Sequence, residues 1–222
     1  MGRRSVQSAL LLLVCAVLTG MVSSSAPAVE FSGALANTNT PPGLIATGLW
    51  AAPQPDLIGW DVSQNMDGTW HYAYGLSVPV QSATNFIVEL PTTFTAADIL
   101  NPIGSFSSFT VGTFTPGAQF PFLPGSIYGA NFILLPGTNT QVAFDAAMAP
   151  GWGNFYGQGV DASVLNAGFN LPNPTVDPKC GSVDHKILVP SPNASPIPEA
   201  STLLLAAVGM LPFALAGRSR RR

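Results

Sequence analysis

From residue 30 to residue 190 no stretch keeps a helical period for long; short runs rich in Val, Ile, Tyr, Phe and Thr are broken every few residues by Gly, Pro or Asn. Proline removes a backbone donor and glycine gives up conformational entropy, so long helices are excluded and strands joined by tight turns remain. No fixed period recurs along the chain, which argues against a solenoid. The expectation is an all-β fold, an antiparallel β-sandwich of jelly-roll or immunoglobulin-like kind over residues 29–178.

The clearest strand is "TWHYAYGLSVPV", where Trp70, Tyr72, Tyr74, Leu76 and Val78 fall on one face and His71, Ala73, Gly75 and Ser77 on the other. Such alternation buries one side of a sheet. Asp67-Gly68 is a hairpin turn pair that would join "LIGWDVSQ" to it as an antiparallel neighbour. "TNFIVEL" reads as the next strand, with Phe86, Val88 and Leu90 inward and Glu89 outward. Thr95 and Asp98 fit one helical turn, which Asn101-Pro102 would end. Further strands are expected at "GSFSSFTVGTF", "SIYGANFILL", "TQVAFDAAM" and "DHKILV", with a type II turn at Pro136-Gly137. Prolines at 172, 174, 178, 190, 192, 196 and 198 mark residues 179–197 as an extended spacer.

Charge narrows the function. Only 9% of residues are charged, against roughly 25% in an average soluble domain, so the surface must be built from small polar groups. Between Val29 and Ile197 ten acidic residues face only Lys179 and Lys186, a net charge of −8. Nucleic acid is excluded as a partner, because phosphate contacts need a basic face.

Both ends carry targeting signals. Residues 1–28 have a basic start at Arg3 and Arg4, an apolar run from Ala9 to Val22, and the Ala26-Pro27-Ala28 exit of a secretory signal peptide. The Sec translocon and signal peptidase are the expected partners there, with cleavage after Ala28. Removal takes Cys15 away and leaves Cys180 alone, so no internal disulfide can form. Leu203 to Gly217 is an apolar run of 15 residues, roughly 22 Å of helix against a hydrocarbon core of roughly 30 Å. Pro212 interrupts it, and the arginines behind it would hold its end on the cytoplasmic side. A single C-terminal hydrophobic helix with marginal grip on the inner membrane is expected.

Pro198-Glu199-Ala200-Ser201-Thr202, the apolar run, and Arg218-Ser219-Arg220-Arg221-Arg222 together resemble the PEP-CTERM sorting signal of Gram-negative bacteria. The usual third position of the core is Pro, where this chain has Ala200. The resemblance covers residues 196–222 and concerns sorting alone. It implies recognition by an exosortase that cuts near Pro198-Glu199, with Arg218, Arg220, Arg221 and Arg222 as the cytoplasmic anchor. It also implies a place at the cell surface or in the exopolysaccharide and biofilm matrix. "TWHYAYGLSVPV", "NFIVELPTTFTAADI", "SIYGANF", "APGWGNFYGQG" and "NAGF" are similar to an all-β domain common among PEP-CTERM surface proteins, with Thr84-Asn85-Phe86 where that domain often has Ser-His-Phe. This second resemblance implies no activity.

Candidate sites are few. A Ser, Cys or Thr nucleophile needs a base, and only His71 and His185 remain after processing. Cys180 and His185 lack a third orienting group, so a free surface thiol is the simpler expectation. "DVSQNMDG" alternates oxygen donors like a calcium loop, but Met66 and Tyr72 stand where an EF-hand needs Gly and Glu; a hairpin turn is the default. Glycines around Trp152, Phe155 and Tyr156 in "GWGNFYGQG" suggest a loop that exposes rings for stacking on sugar. The sequence therefore leads to a non-catalytic exported surface or matrix protein in contact with exopolysaccharide, with no cofactor or metal. The alternative is a secreted carbohydrate-active enzyme using acidic residues.

Overall fold

The computed structural model describes residues 29–51 and 53–192; the expected signal peptide and sorting segment lie outside the described residues. These form thirteen strands: β1 (Glu30–Ala36), β2 (Leu44–Gly48), β3 (Leu57–Gln64), β4 (Trp70–Ser77), β5 (Asn85–Glu89), β6 (Leu100–Gly104), β7 (Phe106–Phe114), β8 (Ile127–Leu134), β9 (Asn139–Ala146), β10 (Pro150–Gly153), β11 (Phe155–Gln158), β12 (Ala162–Asn166) and β13 (Ile187–Pro190). A single 3₁₀ turn at Ala96–Asp98 is their only helical element. Every pairing is antiparallel: one sheet runs β1-β3-β4-β9-β6, a second β2-β12-β11-β5-β8-β7, and β10 and β13 make a separate ribbon. No helix among the described residues is long and apolar enough to cross a membrane.

The β3–β4 hairpin forms where Asp67-Gly68 predicts it. Gly68 takes φ +87, open to glycine at no steric cost, and its N–H donates to Asn65 C=O at 3.1 Å. Asp67 Oδ1 accepts from Thr69 N–H at 2.9 Å and from Thr69 Oγ1 at 2.6 Å, so its oxygen serves the turn. Along β4 burial alternates at every residue, with Trp70, Tyr72, Tyr74 and Leu76 inward. Their rings meet those of the second sheet: Tyr74 lies 5.8 Å from Phe86, and Phe144 of β9 stacks on Phe132 of β8 at 6.0 Å. Tyr72 stacks on Phe144 at 5.5 Å from within the first sheet. Aromatic pairs at these separations add to the stabilisation from area burial alone.

The second sheet is covered on its other face too. Ile87, Tyr156 and Leu165 form a further cluster with Phe120, Leu123, Ile127 and Phe169. For this reason β5, β11 and β12 show runs of buried residues where alternation would be expected. Phe86 and Val88 are buried as predicted, but so is Ile87 between them.

Three expectations need correction. Asn101-Pro102 does not end the helical turn, which stops at Asp98; it lies inside β6, where the register with β9 shifts between Leu100 and Ile103. Proline is tolerated there because β6 is an edge strand with a bulge, and Asn101 absorbs the bend at φ 48. The spacer expected over 179–197 is body for part of its length, since β13 pairs with β10 and Ile187 to Pro190 are all buried. Proline density misleads here because the ribbon is short and two prolines face each other at its end. "GWGNFYGQG" supplies β10 and β11 rather than a loop.

Candidate functional site

Lys186 is one of two lysines in the acidic body, and its side chain is completely buried. A buried ammonium is costly unless it finds partners. Lys186 Nζ donates to Asn154 Oδ1 at 2.7 Å and to the Leu171 carbonyl at 2.8 Å. Asn154 sits at the single-residue step between β10 and β11. Its N–H and its Nδ2 both donate to Glu89 Oε2, at 2.7 and 2.6 Å. Asn166, the last residue of β12, donates from Nδ2 to Asn154 Oδ1 at 3.0 Å and is itself oriented by Phe155 N–H on its Oδ1 at 3.1 Å. Asn173 Nδ2 reaches Glu89 Oε1 at 3.3 Å. Three segments thus converge on the Asn154 amide, through Glu89, Asn166 and Lys186. Because Glu89 can only accept when ionised, Asn154 must turn Nδ2 toward it and Oδ1 toward the two donors.

The backbone forces Lys186 inward. Asp184 and His185 take φ 49 and φ 57, a left-handed pair that is unfavourable for side chains other than glycine. Lys186 N–H then donates to Val183 C=O at 2.8 Å, and Ser182 Oγ donates to Lys186 C=O at 2.7 Å. Gly168 makes room for this turn, since a Cβ there would collide with the Asp184 carbonyl. Gly153 does the same for the carboxylate, because a Cβ there would strike Val189 and come within 3.3 Å of Glu89 Oε2. Burial lowers the pKa of Lys186 from its ordinary value, while the charges of Glu89 and Asp184 push it back up. A hollow of about 490 Å³, lined by Glu89, Tyr128, Trp152, Asn173 and Pro190 among others, opens beside Glu89.

The outer face of the first sheet offers a different surface. Gly59, Ala73, Gly75 and Ala143 line a hollow of about 350 Å³ together with Asp61, Gln141 and Ile103. At one side His71 Nδ1 and Asp145 Oδ1 are hydrogen-bonded at 2.7 Å, and Asn101 Nδ2 donates to Asp145 Oδ2 at 2.8 Å. Asp61 and Asp145 stand on β3 and β9 with β4 between them, and Asp61 is level with Ala143, two residues along β9 from Asp145. With both Asp145 oxygens engaged, the two carboxylates do not make a ready pair for hydrolysis.

The predicted carbohydrate contacts are corrected by burial. Trp152, Phe155 and Tyr156 are 2%, 0% and 0% exposed. Trp152 Nε1 donates to Val176 C=O at 3.0 Å and the Tyr156 hydroxyl donates to Pro121 C=O, so each ring is packed and its polar end satisfied. Glycines beside these rings serve close strand and chain approach rather than display. Cys180 is exposed and free, and His185 belongs to the left-handed turn. Ala26, Ala28, Pro198, Glu199, Ala200, Ser201, Thr202, Arg218, Arg220, Arg221 and Arg222 lie outside the described residues.

The Lys186 cluster escapes a reading from sequence alone. Its one legible signal is compositional: a rare lysine directly before the apolar run "ILVP", in a body whose glutamates besides Glu89 are terminal. No family model, no curated protein and no solved structure matches this chain.

Proposed function

We propose that the chain is an exported, non-catalytic protein of the cell surface or extracellular matrix, sorted by an exosortase, with a β-sandwich body that rests against exopolysaccharide. The observation that carries this reading is the three-part tail: the Pro198–Thr202 core, the short apolar run from Leu203 to Gly217, and the closing arginines. The low charge of the body supports it, because an uncharged polar surface suits hydrogen bonding to sugar hydroxyls without strong ionic steering. The rings of Trp152, Phe155 and Tyr156 are unavailable, so the polysaccharide contact moves to the outer hollow of the first sheet. There Asp61 and Gln141 flank a floor of small residues in a hollow of about 350 Å³.

Two experiments test the reading. Mass spectrometry of the protein recovered from the cell surface should find a chain ending near Pro198; recovery through Arg222 would refute processing. Full-length protein mixed with exopolysaccharide of the producing cells should be retained without new reducing ends. Gly75 has open space where a Cβ would stand, so Gly75→Arg should fill the hollow and cut retention at least about tenfold with little change in melting temperature. Unchanged retention in that variant would remove the hollow from the proposal, and new reducing ends would favour the carbohydrate-active alternative.

A further inference from the structure

We propose that Lys186 and Asn154 condense into an intramolecular isopeptide bond, with Glu89 as the proton carrier and Asn166 as the donor that holds the oxyanion. Nothing in this step depends on the sorting reading. The geometry holds each part that amide exchange requires. The nucleophile is the Lys186 amine, 2.7 Å from Asn154 Oδ1; one carbonyl bond of about 1.23 Å further places it within about 3.9 Å of Cγ at most. Reacting atoms in a near-attack arrangement lie about 3–3.5 Å apart, so the neutral amine has less than about 1 Å to move. The electrophile is the Asn154 amide, its carbonyl polarised by Asn166 Nδ2 at 3.0 Å on the oxygen that becomes negative on attack. The leaving nitrogen, Asn154 Nδ2, already donates to Glu89 Oε2 at 2.6 Å.

The step balances without an outside reagent. The neutral Lys186 amine attacks Asn154 Cγ and the C=O electrons move onto Oδ1, which leaves a positive charge on Nζ, now bonded to Cγ beside Nδ2. Glu89, already on Nδ2, takes the proton from that nitrogen and passes it to Nδ2; the Cγ–Nδ2 bond then breaks, ammonia leaves and the carbonyl reforms. A primary amine and a primary amide become a secondary amide and one ammonia, protonated to ammonium on release, with no change of oxidation state. The hollow beside Glu89 gives that ion a way out. Burial supports the reaction twice. It raises the neutral fraction of the Lys186 amine, and it keeps water from competing for Cγ. The left-handed pair at Asp184 and His185 fits the same reading, since strain of this kind persists where the surrounding fold over-determines a position.

The bond would also relieve the molecule of an isolated internal charge, because among the described residues Lys186 makes no ion pair and is held by neutral carbonyl oxygens. A linkage between the β10–β11 junction and the residue before β13 closes a covalent loop of the chain segment from Asn154 to Lys186. That restricts the unfolded state in the manner of a disulfide, in a chain that has no second cysteine after processing.

Intact mass spectrometry of the folded full-length chain, with its termini assigned by peptide mapping, tests the proposal. The wild type should be lighter by one ammonia, and a digest made after denaturation should yield Asn154 and Lys186 in a single branched peptide. Glu89→Gln keeps an oxygen for the Asn154 donors but cannot carry the proton; it should fold, show an unchanged circular dichroism spectrum, and retain the full mass. Lys186→Arg should likewise retain the full mass. Recovery of linear Asn154 and Lys186 peptides from folded wild type would overturn the proposal. A gain in mass at Asn154, from hydrolysis to aspartate, would overturn it as well. An ammonia-deficient Glu89→Gln protein would remove Glu89 from the chemistry.

Discussion

At the scale of single residues, the body confines polar atoms in ways that set its response to pH. Asp56 is fully buried; its Oδ2 accepts from Asn37 Nδ2 at 2.7 Å, its N–H donates to Asn37 Oδ1 at 3.1 Å, and its Oδ1 has no partner. Burial pushes its pKa from 3.8 up to about 7. The folded state therefore keeps a proton that the unfolded state releases, so this contribution is whole below pH 3.8 and disappears as the pH rises through about 7. Asp145 behaves oppositely. Burial pushes it up, but hydrogen bonds from Asn101, His71 and Asn65 and the His71 charge together bring it below its ordinary value. Thr69 lowers Asp67, and Thr95 lowers Asp98, through hydrogen bonds from side chain and backbone. Stability carried by these three is lost as the pH falls below the ordinary carboxylate range. Urea midpoints should fall on both sides of a mildly acidic maximum. On the alkaline side the loss should be about 1–3 kcal/mol, the scale of an unsatisfied buried polar group. Asp56→Asn should flatten the alkaline limb and leave the acid limb in place; a variant with the wild-type profile would show that Asp56 does not set it.

Elements differ in how clearly their residues announce them. β3, β4, β7, β8 and β9 are legible because each runs eight or nine residues, long enough for alternation or β-branched and aromatic enrichment to register. β10, β11 and β12 are not, since each is four or five residues long and almost wholly buried, and glycines at 151, 153 and 157 read as loop. β1 and β2 do not stand out in the sequence for the reason common to edge strands: they are only partly covered, with one buried residue each. The Lys186 cluster lay beyond sequence patterning altogether, because Glu89, Asn154, Asn166 and Lys186 come from separate segments that only the strand order brings together. The turn that delivers Lys186 depends on an absent side chain at Gly168. Gly168→Ala should push the Asp184 backbone away, destabilise the protein by about 1–3 kcal/mol, and leave a fraction of molecules without the ammonia loss. Urea denaturation and intact mass read the two effects separately; wild-type values for both would show that the turn has room to spare.

For the whole molecule, the two apolar clusters carry different loads. Phe144 touches Tyr72, Tyr74 and Phe132, so its ring joins residues of both sheets. Phe120 meets Phe114 and Tyr156 and belongs to the cover over the far face of the second sheet. Phe144→Ala should cost about 3–5 kcal/mol, as for a large buried aromatic, in one cooperative transition. Phe120→Ala should cost less and expose the cover to protease before global unfolding. Equal losses in the two variants, followed by urea denaturation and limited proteolysis, would mean that the clusters act as one.

The ribbon of β10 and β13 also sets where a tug from the carboxyl side would first be felt. Ser191 clasps Ala149 at 3.0 Å, and the next pair inward, Pro150 with Pro190, has no amide hydrogen to share. Tension entering there meets the weakest rung early and peels the remaining ones in turn, as a zip opens, rather than loading them side by side. Past the Tyr74 hydroxyl that holds the Leu188 carbonyl at 2.9 Å, that line reaches the side chain of Lys186, and a covalent stop at that place would leave the rest of the body slack while the tether takes the strain.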